Sequence, residues 1–246
     1  MRQRASLTSR SNRGDHPIPP ENSCVDFRDN SRRSAMPGGV VDPLKLVVFD
    51  ATQLGRRPVG LGLSWRLGSG LYRAIGGVNG ALGARSWTEA LQWLAQFQPT
   101  RRIAEVQYWG HGKWGRAFID AEPLDRSALK PNHALHSQLQ AVRERLTPEA
   151  LIWFRTCETV GGTAGQSFAS ALAEFTGAAV AGHTFEIAFF QSGLRALRPG
   201  TAPHWSPAEG IARGVPSAPQ RALPSHPREP NTITCLTTRL PESAFG

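Results

Sequence analysis

The sequence predicts an α/β fold, a three-layer sandwich with a mostly parallel central sheet. Short apolar runs alternate along the chain with amphipathic segments of helical period, and this order is typical of strands joined by helical crossovers. The runs are continuous rather than interrupted by polar residues, as expected for strands that are buried on both faces. The clearest three lie at residues 44–49, 103–109 and 151–154.

The remaining elements are predicted from apolar periodicity and from residues that begin or end helices. Ser86 and Glu89 have the spacing of a capping box, as do Thr163 and Gln166. In chain order we predict a strand at 44–49, a Gly-rich stretch with Leu63, Leu67, Leu71 and Ile75 at helical spacing, a helix from Ser86 to before Pro99, a strand at 103–109, a hairpin at 114–119 with a turn near 122–123, a helix from Asn132 to near Pro148, a strand at 151–154, a helix from Thr163 to Gly177, and a strand at 178–181.

Composition divides the 246 residues into three parts. Residues 1–42 are rich in Arg, Ser, Asn, Asp and Pro and are expected to be disordered. The sequence leaves open whether translation starts at Met1 or at Met36, near the end of this segment. Residues 43–198 carry the apolar periodicity and form the predicted α/β domain. Residues 199–246 contain nine Pro and are expected to form a largely disordered tail.

The net charge of +9 suggests polyanion binding, but the basic residues are dispersed. No basic run is interleaved with aromatic residues, and no zinc-finger or RNP-like motif is present. We therefore predict no specific nucleic-acid partner. The chain has no apolar run of transmembrane length and no secretory signal, so the expected location is cytoplasmic, away from membranes.

Three cysteines, Cys24, Cys157 and Cys235, are widely spaced and odd in number, so no disulfide framework is expected and Cys157 is predicted to be a free thiol. Cys157 follows the strand at 151–154, and His111 follows the strand at 103–109. Because ligands bind at the carboxyl ends of parallel strands, these positions bring a base beside a thiol.

A neighbouring imidazolium lowers the pKa of a thiol, and the same His can return a proton to a leaving amine. Backbone N–H groups at Gly112 and Cys157 can stabilise a tetrahedral oxyanion. Gly112 suits that task because a residue without a side chain lets a substrate carbonyl approach the backbone closely. The pattern therefore predicts a thiol hydrolase with a His111–Cys157 dyad.

The apolar run that ends at His111-Gly112 and the apolar run that ends at Cys157 resemble, in order and separation, the caspase-like cysteine peptidases, which include caspases, gingipains, separase and bacterial CHAT domains. The likeness is closest to bacterial caspase-like domains of unassigned function, in which a helix of the type AGQxFxxALAExTG follows the Cys. Residues 164–177 read AGQSFASALAEFTG. The resemblance covers about 103–184 and implies a caspase-like fold.

The resemblance implies that His111 is the catalytic base, that Cys157 is the nucleophile, and that Gly112 and the Cys157 amide form the oxyanion hole. It also implies a peptide or protein substrate. The flanking residues Lys113, Trp114 and Glu158 are candidates for substrate contact.

One departure from caspases favours an alternative function. Glu158 follows the thiol directly, and a carboxylate there opposes thiolate formation unless it points away or pairs with Arg155. The alternative is a non-catalytic caspase-like module that binds a protein partner.

Competing motifs are weaker. Ser167 lies in a sequence like that of a nucleophile elbow, but it falls inside a predicted helix rather than directly after a strand. His133 and His136 lack a third ligand at characteristic spacing. The Gly-rich stretch contains neither a phosphate-binding loop nor a dinucleotide fingerprint. The sequence therefore predicts neither a metal site nor a cofactor.

Overall fold

The computed structural model describes residues 42–52, 68, 70 and 77–246. Its strands are β1 (Leu44–Asp50), β2 (Gly80–Ala84), β3 (Ile103–Trp109), β4 (His111–Lys113), β5 (Arg116–Ile119), β6 (Glu122–Asp125), β7 (Leu146–Arg155), β8 (Ala179–His183), β9 (Phe190–Gln191), β10 (Leu194–Leu197), β11 (Ile211–Val215), β12 (Ala218–Ala222) and β13 (Ile233–Thr234). Its helices are α1 (Trp87–Gln96), α2 (His136–Arg143) and α3 (Gly162–Thr176), with short 3-10 helices at Arg126–Leu129 and Glu242–Phe245.

Six strands form the central sheet in the order β10-β8-β7-β3-β1-β2. The pairs β1–β2, β1–β3, β3–β7 and β7–β8 are parallel, and only the edge strand β10 runs antiparallel to its neighbour. The predicted α/β fold with a mostly parallel sheet is therefore confirmed. The strands predicted at 44–49, 103–109 and 151–154 are β1, β3 and part of β7.

The three described helices pack on one face of the sheet. Leu46, Val106 and Phe154 from neighbouring strands lie in the same buried cluster as Leu91 of α1 and Phe168 of α3. A continuous apolar strand is needed here because its alternate residues must also be buried on the other face. None of these described helices is long and apolar enough to cross a membrane.

The C-terminal segment covers part of the second face. Trp153 and Ala181 lie in a buried cluster with Ala244, and Leu240 and Phe245 pack against it. Residues 199–246 also contribute the β11–β12 hairpin and the pairing of β13 with β9. The expectation of a largely disordered tail is therefore wrong, because these prolines flank short paired strands and the segment is held by contacts with distant strands.

Two helix boundaries differ from the prediction. The helix expected from Asn132 to near Pro148 is α2, which is shorter, and Leu146 already belongs to β7. An extended chain is favoured there because a residue that precedes proline avoids the helical region. The helix at 163–177 begins at Gly162 with no side-chain cap, because its N-cap residue is Gly161 rather than Thr163. Gln166 donates from Nε2 to the Trp205 carbonyl at 2.7 Å.

Other helix boundaries lie where the sequence predicted them. Ser86 caps α1 by accepting a hydrogen bond from the Glu89 N–H at 3.1 Å, and Gly177 ends α3 with a φ of 71°. The predicted hairpin is a three-stranded sheet of β4, β5 and β6. The stripe from Leu63 to Ile75 and the segment 1–41 lie outside the described residues.

Candidate functional site

The strands that precede His111 and Cys157 are neighbours whose carboxyl ends are in register. In the β3–β7 pairing, Trp109 lies opposite Arg155, the last residue of its strand. His111 follows Trp109 by two residues, and Cys157 follows Arg155 by two residues. The structure therefore brings the two segments to the same edge of the sheet, as the sequence predicted.

The backbones of these two segments are in direct contact. Trp114 donates its N–H to the Glu158 carbonyl at 3.1 Å, and Gly115 donates to the Thr159 carbonyl at 2.8 Å. Trp114 and Gly115 form the two-residue turn between β4 and β5, with φ values of 28° and 83°. The hairpin is thereby fixed against the loop that carries the thiol.

Gly112 lies where no larger residue fits without a shift. A Cβ at this position would lie 2.6 Å from the Cys157 carbonyl oxygen and 2.7 Å from the Thr156 Oγ1. The glycine therefore lets β4 approach the backbone of Cys157 closely. His111 is exposed at the start of β4, opposite Phe118 of β5.

Cys157 is a free thiol, as predicted, and lies against the backbone of Ile187. Its Sγ accepts a hydrogen bond from the Ile187 N–H at 3.4 Å and lies 3.9 Å from the Ile187 carbonyl oxygen. Burial raises the pKa of Cys157 to about 11, with a further rise from Glu158 and Glu186, while the Ile187 hydrogen bond and Lys113 lower it. In this conformation the group is a neutral thiol at pH 7.

Glu158 is buried beside the thiol and pairs with the hairpin. Its Oε1 lies 3.7 Å from the Lys113 Nζ, and its side chain is 7% exposed against 55% for Lys113. Glu158 does not take Arg155 as its partner, because the Arg155 guanidinium donates to the side chain of Gln191 and to carbonyls of the C-terminal segment. Burial raises the pKa of Glu158 to about 7, although Lys113 opposes that rise.

The raised pKa of Glu158 predicts that the free energy of unfolding depends on pH. Unfolded glutamate ionises near pH 4.5 and folded Glu158 near pH 7, so stability from the neutral buried carboxyl is lost as pH rises between these values. We expect Glu158→Gln to be close to the wild type at pH 4.5 and to exceed it by about 3 kcal/mol at pH 8 in urea unfolding. The exposed Glu144→Gln is the control. A Glu158→Gln difference that is independent of pH would contradict the assignment.

A second histidine ends β8 at the same edge of the sheet but is fully buried. A hydrogen bond of 3.1 Å joins the His183 Nδ1 to the Ser192 carbonyl oxygen. Burial lowers the pKa of His183 to about 3. It is therefore a neutral core residue. His111, in contrast, is exposed.

Several residues that surround the thiol carry no signal in the sequence. Ile187, which bonds the thiol, follows β8 in a loop with no local signal. Glu186, in the same loop, is a second carboxylate that acts on the thiol. Among the described residues, no group of three or more His, Cys, Asp and Glu side chains can hold a metal ion.

Comparison with known proteins relates part of the chain to a protein family. A family model described as Domain of unknown function (DUF4347) matches residues 83–187, so the chain is similar to that family from β2 to the loop that contacts the thiol. The matched range contains both His111 and Cys157. No curated protein and no solved structure matches the chain.

Proposed function

We propose that this chain is a caspase-like cysteine peptidase in which Cys157 is the nucleophile and His111 is the general base. The observation that carries the proposal is the contact between the hairpin at 111–115 and the loop at 156–159, at the carboxyl ends of two neighbouring parallel strands. This edge is where open α/β sheets place their ligands.

The chemistry follows from these positions. His111 takes the Cys157 proton as Sγ attacks a peptide carbonyl, and it then returns that proton to the leaving amine. Lys113 and Arg116 close the two-residue turn, so the alternation of an antiparallel ladder assigns Gly112 to a non-hydrogen-bonded position. We infer that its N–H, directed away from β5, joins the Cys157 amide in an oxyanion hole.

A neutral thiol must pass its proton to a neighbouring base as it attacks an electrophile, whether a peptide or an alkylating reagent. With a pKa of about 11, Cys157 holds its proton until His111 accepts it. Catalytic hydrogen bonds are often long in the free enzyme and tighten when substrate binds, so the Ile187 contact is a resting position of the thiol. The proposal therefore predicts that Cys157 reacts faster at pH 7 than a thiol of pKa about 11 that has no base beside it.

The same environment supports a second candidate, a non-catalytic caspase-like module that binds a protein. A thiol held neutral by burial and by two carboxylates is poorly suited to nucleophilic attack. In that case His111 has no effect on Cys157, and the hairpin and its neighbours form a binding surface.

Site-resolved alkylation of Cys157 between pH 5 and 11 separates the two functions and needs no known substrate. We compare the wild type with His111→Ala and with His133→Ala as a matched control, using mass spectrometry, with Cys235 in each sample as a reference. The peptidase predicts a Cys157 rate at pH 7 that falls at least about tenfold in His111→Ala alone, because the partner stabilises the thiolate. Identical pH profiles in all three proteins would overturn the peptidase and favour the binding module.

A further inference from the structure

Beside the thiol, the ammonium of Lys113 lies between a carboxylate and an aromatic ring. Its Nζ is 3.7 Å from the Glu158 Oε1 and 4.6 Å from the centre of the Trp114 ring. The Lys113 side chain is 55% exposed, whereas that of Glu158 is 7% exposed. The carboxylate is therefore built into the protein, and the lysine that covers it is free to move into solvent.

Two buried polar atoms at this place have no hydrogen-bond partner within the described part of the chain. They are the Glu158 Oε2 and the Trp114 Nε1. A buried acceptor without a partner costs free energy, and more so when it can be charged; among the buried atoms without a partner in the described part of the chain, the Glu158 Oε2 is the one carboxylate oxygen. The Glu158 carboxyl is therefore only partly satisfied by Lys113, because its Oε2 remains an acceptor without a donor, whereas the Trp114 Nε1 is a donor that no cation can satisfy.

The backbone holds both residues in an unfavourable conformation. Trp114 has a φ of 28° and Glu158 a φ of 32°, in the left-handed region that bulky residues avoid. Their backbones are joined by the Trp114 N–H, and the Glu158 N–H is fixed by the Phe185 carbonyl at 3.0 Å. Such conformations cluster at functional sites, where the surrounding structure maintains them.

Above pH 7, where Glu158 is mostly ionised, the nearby side-chain charges that act on the thiol are negative on balance. Two carboxylates, Glu158 and Glu186, act on Cys157, and they are opposed by one ammonium, that of Lys113. If a cation from a ligand replaces Lys113, the Glu158 carboxylate keeps a partner and Lys113 regains full hydration. An anion in the same place would face both carboxylates.

We propose that Glu158 and the face of Trp114 form a subsite for the cationic side chain of a lysine or arginine residue in the peptide that Cys157 attacks, and that Lys113 occupies it when substrate is absent. This assignment rests on the proposed peptidase function. A carboxylate recognises the charge of either side chain, and an aromatic face adds a cation–π contact, which is strongest when water is excluded.

The charge preference can be measured at Cys157 without a known substrate. The probes are two methanethiosulfonate reagents, one with an aminoethyl group and one with a sulfonatoethyl group. Each transfers its thioalkyl group to the Cys157 sulfur as a mixed disulfide, and methanesulfinate leaves. The ratio of the two rates at Cys157, divided by the same ratio at Cys235, removes the effect of the net charge of the chain.

At pH 8, where Glu158 is mostly ionised, we compare the wild type with Glu158→Gln, Lys113→Met and Glu186→Gln. We expect a cation preference of about tenfold in the wild type, a loss of most of it in Glu158→Gln, and an increase in Lys113→Met, which retains the stem but removes the resident ammonium. Glu186→Gln, which alters an exposed carboxylate outside the subsite, is expected to change the ratio less.

Each outcome has a defined meaning. Equal ratios in the wild type and in Glu158→Gln would overturn the subsite, as would equal losses in Glu158→Gln and Glu186→Gln, which indicate a diffuse field. Lys113→Met alters an exposed side chain, and an unchanged ratio there would overturn the role of the resident lysine. A Cys157 rate independent of His111 would instead overturn the peptidase and the assignment of a substrate, whatever the charge ratio.

If the peptidase stands, internally quenched peptide libraries give a second test. We expect cleavage after Lys or Arg in the wild type, and a reduction in Glu158→Gln through KM more than through kcat. Cleavage without preference for a basic residue would overturn the subsite while leaving the peptidase intact.

Discussion

Replacement of Arg145 by alanine is expected to lower the free energy of unfolding by about 3–4 kcal/mol. Arg145 lies between α2 and β7, is 9% exposed, and points its guanidinium at the end of α1. It donates to five backbone carbonyls, those of Leu94, Ala95, Phe97, Gln98 and Arg101. The last carbonyls of a helix have no partner within the helix, so this one side chain supplies what α1 and its following turn lack.

Several variants distinguish the hydrogen bonds from charge and bulk. Arg145→Lys retains the charge but has one ammonium in place of a planar fork, so we expect a loss of about 2 kcal/mol. The exposed Arg213→Ala should change the unfolding free energy by less than about 0.5 kcal/mol. Urea unfolding followed by Trp fluorescence measures all three. If Arg145→Lys equals the wild type, charge alone accounts for the contribution of Arg145.

The sheet and the location of the candidate site were predictable because both follow from local patterns. A continuous apolar run such as Leu44–Phe49 must be buried on both faces, and only a central strand meets that condition. The carboxyl ends of parallel neighbours lie at one edge, so residues directly after two such runs approach each other. His111 and Cys157 are therefore placed by strand direction, which local sequence encodes.

The C-terminal segment was not predictable because its structure depends on contacts far along the chain. The Arg155 guanidinium donates to the carbonyls of Thr234, Cys235 and Thr237, about 80 positions later. A two-residue strand such as β13 has no periodicity of its own. The nine prolines of residues 199–246 suggested an extended tail, but proline also occurs beside short edge strands.

The partner of Glu158 was not predictable either, because it depends on a turn. Arg155 is nearer in sequence, but it lies on β7 and its side chain extends toward Gln191. Lys113 approaches Glu158 only because the Trp114–Gly115 turn binds the loop after the thiol. The position of the hairpin, rather than distance along the sequence, determines which basic side chain pairs with the buried Glu158 carboxylate.

Replacement of Arg155 by alanine is expected to release the C-terminal segment and to lower the free energy of unfolding by about 3 kcal/mol. The side chain is 4% exposed and donates twice to the Gln191 Oε1, at 2.9 and 3.2 Å, besides its bonds to the segment. Its guanidinium also lies 4.7 Å from the centre of the Trp153 ring. Without the Arg155 guanidinium, the Gln191 Oε1 and the carbonyls of the segment lose a donor, and an alanine side chain cannot replace it.

Because the Arg155 bonds connect two parts of the chain, their loss has a local signature as well as a global one. We expect amide hydrogen exchange in 233–237 and alkylation of Cys235 to accelerate at least about tenfold in Arg155→Ala, while exchange in α1 follows the global change only. Arg239→Ala, an exposed residue of the same segment, is the control and should leave both unchanged. If Cys235 and the segment react as in the wild type, Arg155 does not hold the C-terminal segment, and the contacts around Ala244 must do so instead.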